Sequence, residues 1–129
     1  MFKIHHIAIS VSDIEKSLSF YKQFGFEEFR SWEANDKTLT IKHLKLNDFV
    51  LEIFCFSNST ADEPTKDREL EIRGVKHFAL EVDNLEQTRQ WILENKISTE
   101  ITEIKHGRTG IDYFFIKDPD GIWIELVKE

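Results

Sequence analysis

Residues 6–26 read HIAISVSDIEKSLSFYKQFGF, and residues 77–97 read HFALEVDNLEQTRQWILENKI. Laid over each other at an offset of 71, the two stretches agree in their apolar positions: Ile7 with Phe78, Ile9 with Leu80, Val11 with Val82, Ile14 with Leu85 and Phe20 with Trp91. In both, a histidine stands ahead of a run that alternates apolar and small or polar residues, the period of a strand with one buried face. A polar turn follows, and Ser12 with Glu15, or Asp83 with Glu86, has the spacing of a helix capping box. Each copy therefore predicts a strand followed by a helix.

The repeat continues downstream. FVLEIF at residues 49–54 meets IWIELV at residues 122–127, now at an offset of 73, which lays Glu52 over Glu125. Between helix and last strand, the first copy has EEFRSWEA and KTLTIKHLKL around the turn-forming Asn35-Asp36; the second has STEITEIK and IDYFFIK around HGRTG. Both read as a further pair of strands. The expected fold is α+β, with two tandem βαβββ modules inside a single domain spanning 1–129. Module one covers about 1–56, a polar connector containing Pro64 about 57–73, and module two about 74–129.

Composition narrows the function. The chain has 129 residues, 40% of them hydrophobic, enough to bury a substantial core. A formal net charge of −7, with Lys and Arg scattered rather than clustered, argues against a nucleic-acid or anionic membrane partner. No run approaches the roughly 18 apolar residues of a membrane span, and the first residues lack the basic start and apolar stretch of a signal peptide. With one cysteine, Cys55, no internal disulfide can form. A cytoplasmic protein acting on a small molecule is the expectation.

Strand geometry then aims the special residues. Ile7, Ile9 and Val11 share one face while His6 shares the other with Ala8 and Ser10; Glu52 opposes Leu51 and Ile53. The second copy repeats this, with His77 opposite Phe78 and Leu80, and Glu125 opposite Ile124 and Leu126. Two such modules can form a curved mixed sheet whose second faces line a common cleft with two imidazoles and two carboxylates. Bringing two carboxylates together out of water is unfavourable unless a cation compensates them. A divalent metal ion would do so.

His6 with the following IAISVSDIEKSLSFYKQFGF, Glu52 in VLEIF, His77 in GVKHFALEVDN and Glu125 in FFIKDPDGIWIELVKE together resemble the vicinal oxygen chelate superfamily, above all its short glyoxalase I (lactoylglutathione lyase) members. The resemblance spans nearly the whole chain. It implies a cleft in which His6, Glu52, His77 and Glu125 bind one divalent metal ion, nickel, cobalt or zinc, and a homodimer as the working form. It also implies chemistry: open positions on the ion take vicinal substrate oxygens, the neighbouring C–H is acidified, and a metal-bound glutamate moves the proton between adjacent carbons of a hemithioacetal by way of an enediolate. By position Glu125 is the catalytic base, with Glu52 assisting. Lys105, Arg108, Phe54, Phe56, Tyr113 and Trp123 are the candidate substrate-binding residues. Ser10 and Phe56 stand where glutathione-using members carry Arg and Asn, which speaks against glutathione as the thiol and leaves a different thiol, a different α-hydroxycarbonyl, or binding through Lys105 and Arg108.

Plainer readings accompany these. His5, His43 and His106 are read as structural, Cys55 as a small core residue, and Asp118 to Gly121 as a turn that shapes the last hairpin. Other functions in the same superfamily compete: a thiol transferase inactivating fosfomycin-like antibiotics, an acyl-CoA epimerase, an extradiol dioxygenase, or a metal-free drug-sequestering protein like those conferring bleomycin resistance.

Overall fold

The computed structural model describes residues 1–61 and 69–129, so Pro64 of the expected connector lies outside the described residues. The chain divides into two units, Met1–Ala61 and Asp62–Glu129. In the first, β1 (Ile7–Ser10), α1 (Ile14–Lys22), β2 (Glu27–Glu33), β3 (Leu39–Leu46) and β4 (Phe49–Phe56) follow in order. They build one four-stranded mixed sheet in the order β1-β4-β3-β2, with β1 parallel to β4 and the other pairs antiparallel. The second unit repeats the plan with β5 (Phe78–Glu81), α2 (Leu85–Glu94), β6 (Lys105–His106), β7 (Asp112–Lys117) and β8 (Trp123–Lys128), ordered β5-β8-β7-β6. The expected βαβββ modules are both present.

Each sheet buries the aliphatic face that alternation assigned to it. In the first unit Ile9, Val11, Leu44, Leu51 and Ile53 are buried together with Leu18, Phe20, Tyr21 and Phe26. In the second, Phe114, Ile116, Ile124 and Leu126 are buried, and α2 packs on β7 and β8 with Leu85 and Ile92 inward. Burying side chains of this size contributes roughly 1.5–3 kcal/mol each, which is what offsets the entropy of ordering the strands. The repeat is imperfect at Trp91, which is 39% exposed where its counterpart Phe20 is buried. Among the described residues no helix is long and apolar enough to cross a membrane.

Three local expectations are corrected. The helix caps are Asp13 and Asn84, one residue beyond Ser12 and Asp83: Asp13 Oδ1 accepts from the Lys16 N–H at 3.1 Å and Asn84 Oδ1 from the Gln87 N–H at 2.9 Å. Adjacent cap-forming residues compete, and the one whose oxygen reaches the N–H three residues on wins. The strand expected over residues 98–105 shrinks to an isolated bridge, Ile101 with Ile116, followed by the two-residue β6. Here side chains take ladder bonds: Ser98 Oγ donates to the Lys117 carbonyl at 2.8 Å and accepts its N–H at 3.0 Å, while Thr102 Oγ1 accepts the Phe115 N–H at 2.8 Å. Cys55 is half-buried rather than part of the core.

Candidate active site

Strand register assembles the first His–Glu pair. Glu52 lies on β4 directly across from Ala8 of the parallel β1 and from His43 of the antiparallel β3. His6, two residues before Ala8, points from the same face, and its Nε2 stands 3.4 Å from Glu52 Oε1. His5 Nδ1 approaches His6 Nδ1 at 2.8 Å. A hydrogen on His6 Nδ1, donated to His5, leaves the Nε2 lone pair facing the carboxylate, the orientation a metal-ligating histidine needs.

The second pair is built alike. Glu125 lies across from Ala79 of the parallel β5, and His77 Nε2 stands 3.2 Å from Glu125 Oε2. On the antiparallel side Glu125 faces Phe115, whose ring meets the His77 ring edge-to-face at 5.0 Å. Tyr113 and Trp123 pack on Phe115 at 5.6 and 5.8 Å. These rings, His77, Glu125 and Arg108 line a cavity of about 510 Å³ within the second unit. Asp118 shapes its hairpin from below: Oδ1 accepts the N–H groups of Asp120 and Ile122, both at 2.9 Å, and Gly121 takes φ +84°. Such a conformation favours glycine.

Donor spacing bears on whether each pair can ligate a metal ion. Two donor atoms each about 2.1 Å from one ion stand about 3.0–3.4 Å apart in octahedral or tetrahedral arrangements. His6–Glu52 at 3.4 Å and His77–Glu125 at 3.2 Å match that spacing. Two imidazole nitrogens and two carboxylates also suit a borderline divalent ion. Within each unit the His–Glu pair has the donor set and spacing of two ligands on such an ion. Among the described residues, no three His, Cys, Asp or Glu side chains already stand as a group that could hold one.

The structure distributes the expected substrate-binding residues. Arg108, Tyr113 and Trp123 line the cavity. Lys105 is exposed on β6, paired with Tyr113 in the ladder. Phe54 and Phe56 belong to the first unit, where their rings stack 6.2 Å apart. Of the histidines read as structural, His106 bonds the exposed Asp112 at 2.6 Å on the surface of its hairpin. His5 and His43 are different. The first touches His6, and the second places Nε2 2.6 Å from Glu52 Oε2. Alternation could have flagged His43, since it lies two residues from Ile41 and opposite Leu44, on the face that carries Glu52 once the hairpin is closed.

Known proteins bear on this geometry. The model of the Glyoxalase/Bleomycin resistance protein/Dioxygenase superfamily matches residues 3–126, and the chain belongs to that superfamily. It is 34% identical to the uncharacterized protein YwkD of Bacillus subtilis (strain 168), over 98% of this chain and 96% of that protein. A solved glyoxalase family protein from Enterococcus faecalis shares its fold with a TM-score of 0.79 and 30% identity, covering 97% of this chain and 96% of that one. The lactoylglutathione lyase of Escherichia coli O157:H7 is 28% identical over 98% of this chain and 93% of the enzyme. Human mitochondrial methylmalonyl-CoA epimerase is 26% identical over 96% of this chain and 72% of the enzyme. Relatives named for two different reactions thus match at similar identity.

Proposed function

We propose that this chain is a metal-dependent lyase or isomerase of glyoxalase I type, acting in the cytoplasm as a homodimer on a hemithioacetal or related α-hydroxycarbonyl. His6, Glu52, His77 and Glu125 are its metal ligands. The observation that carries the reading is that both His–Glu pairs occupy equivalent strand positions and both show the donor spacing of two ligands on one ion. Similarity to a lactoylglutathione lyase over almost the whole chain supports it.

The ion, nickel, cobalt or zinc, supplies Lewis acidity that makes a C–H beside a chelated oxygen easier to deprotonate. The protein does the rest. Glu125, on the wall of the cavity, takes the proton from one carbon and returns it to the next, and Glu52 assists. Phe115, Tyr113 and Trp123 hold the substrate's apolar part and limit water, which strengthens the field of the carboxylates on the reacting carbon. Arg108, at the exposed rim, pairs with an anionic group of the substrate.

The test is metal content by mass spectrometry on freshly purified protein, beside His77→Ala and Glu125→Gln. Near-stoichiometric transition metal lost in the variants, with isomerisation of hemithioacetals from several thiols, is expected. Absence of metal, with no uptake of added Ni²⁺, Co²⁺ or Zn²⁺, overturns the reading.

A further inference from the structure

Glu52 and Glu125 are equivalent by sequence but not by environment. Across the first sheet, register sets Arg30 of β2 opposite His43 of β3, and His43 opposite Glu52 of β4. Arg30 reaches that row through a β-bulge: the register shifts between Glu28 and Arg30, so the extra residue, Phe29, steps aside and Arg30 stands where Phe29 would otherwise pair. Arg30 Nη1 lies 3.4 Å from His43 Nδ1, and His43 Nε2 lies 2.6 Å from Glu52 Oε2. His43 is 9% exposed, its ring edge-to-face with Phe29 at 5.9 Å.

A guanidinium has donors and no acceptor, so the His43 Nδ1 that faces it must present a lone pair. The ring hydrogen then sits on Nε2 and is donated to the carboxylate. The separation of 2.6 Å is that of a short charge-assisted hydrogen bond and is too small for two donors sharing an ion. Glu52 therefore has one oxygen held by His43, while the other faces His6. In the second sheet the residue across from Glu125 is Phe115, whose side chain carries no hydrogen-bond donor.

We propose that Arg30 and His43 are positioning residues that lock Glu52 in a fixed orientation, and that the Phe115 ring leaves Glu125 without that second restraint. The division of labour follows: Glu52 stays a ligand and Glu125 becomes the mobile carboxylate that carries the proton. The functional consequence rests on the metal-site reading above, whereas the relay itself does not.

Two measurements test it. In long-range ¹⁵N–¹H NMR of the metal-free full chain, His43 shows its hydrogen on Nε2, and Arg30→Met, which removes the donor but keeps a long side chain, shifts the ring toward a mixture of tautomers. In Ni²⁺ titration calorimetry, His43→Phe, which installs the residue of the second module, weakens binding about 10- to 100-fold. His43→Gln, whose amide can still donate, recovers part of that loss and separates hydrogen bonding from packing. A wild-type ring with its hydrogen on Nδ1, or a His43→Phe protein with unchanged affinity, overturns the relay. Should the wild type take up none of Ni²⁺, Co²⁺ and Zn²⁺, the metal reading fails by itself. The relay is then judged by the tautomer and the Glu52 carboxylate carbon resonance, which His43→Phe moves if the bond exists and leaves in place if it does not.

Discussion

Replacing Asp118 by alanine is expected to destabilise the fold by about 3 kcal/mol. Asp118 is 4% exposed, and its Oδ1 accepts two backbone N–H groups, from Asp120 and Ile122, both at 2.9 Å. Hydrogen bonds to a charged acceptor contribute roughly 1.5–3 kcal/mol each, and sharing one oxygen puts the pair near the lower sum. For a chain of 129 residues this lowers Tm by about 10 °C. Asp118→Asn keeps an oxygen able to accept both bonds while losing the charge, so its cost is about 1 kcal/mol. Urea unfolding followed in parallel by circular dichroism and tryptophan fluorescence measures both variants, with coincident transitions licensing a two-state treatment. The consequence reaches the site, because this turn closes the β7–β8 hairpin and sets Glu125 across from Phe115. An alanine variant within about 0.5 kcal/mol of wild type, or an asparagine variant as weak as alanine, would refute the reasoning.

Two further outcomes are expected. Lys96 ends α2 in the left-handed region at φ +51°, the place where the first copy uses Gly25 at φ +97°. Lys96→Gly should therefore raise stability in thermal unfolding by about 0.5–1 kcal/mol, and an unchanged Tm would show that no strain was relieved. The hydroxyl and then the backbone N–H of Thr38 hold the Asp36 carboxyl below the usual carboxylate range. Because the folded value is depressed, this interaction favours the fold above the ordinary carboxylate pKa and fades as pH falls through the folded one. In Thr38→Val the Asp36 titration midpoint by NMR should rise; a fixed midpoint would assign the effect to the backbone N–H alone.

Much of this was legible because strand alternation is strict. His6, Glu52, His77 and Glu125 could be placed on the face away from the aliphatic row because one register fits Leu51, Ile53, Ile124 and Leu126 into a core. Helix starts were legible only to within a residue, since Ser12-Asp13 and Asp83-Asn84 each offer two neighbouring caps. The contact of His43 with Glu52 was hidden because it depends on a partner nine residues away in another strand, and its approach to Arg30 on a bulge at Phe29 that no local pattern announces. The shortened β6 was hidden for a similar reason: Ser98 and Thr102 read as strand residues, yet their hydroxyls replace the ladder they were expected to extend.

The two-residue turn between β3 and β4 has a bearing on how such a gene can change length. Asn47, at φ +51°, and Asp48 link Leu46 directly to its partner Phe49, so the hairpin has no slack. One codon gained or lost between Phe49 and Glu52 would turn Glu52 toward the oily side and bring Leu51 or Ile53 to the imidazoles. Inherited insertions can accumulate around Ala61, beyond the last strand of the first unit, without disturbing that pairing, whereas the hairpin can vary in spelling but not in length.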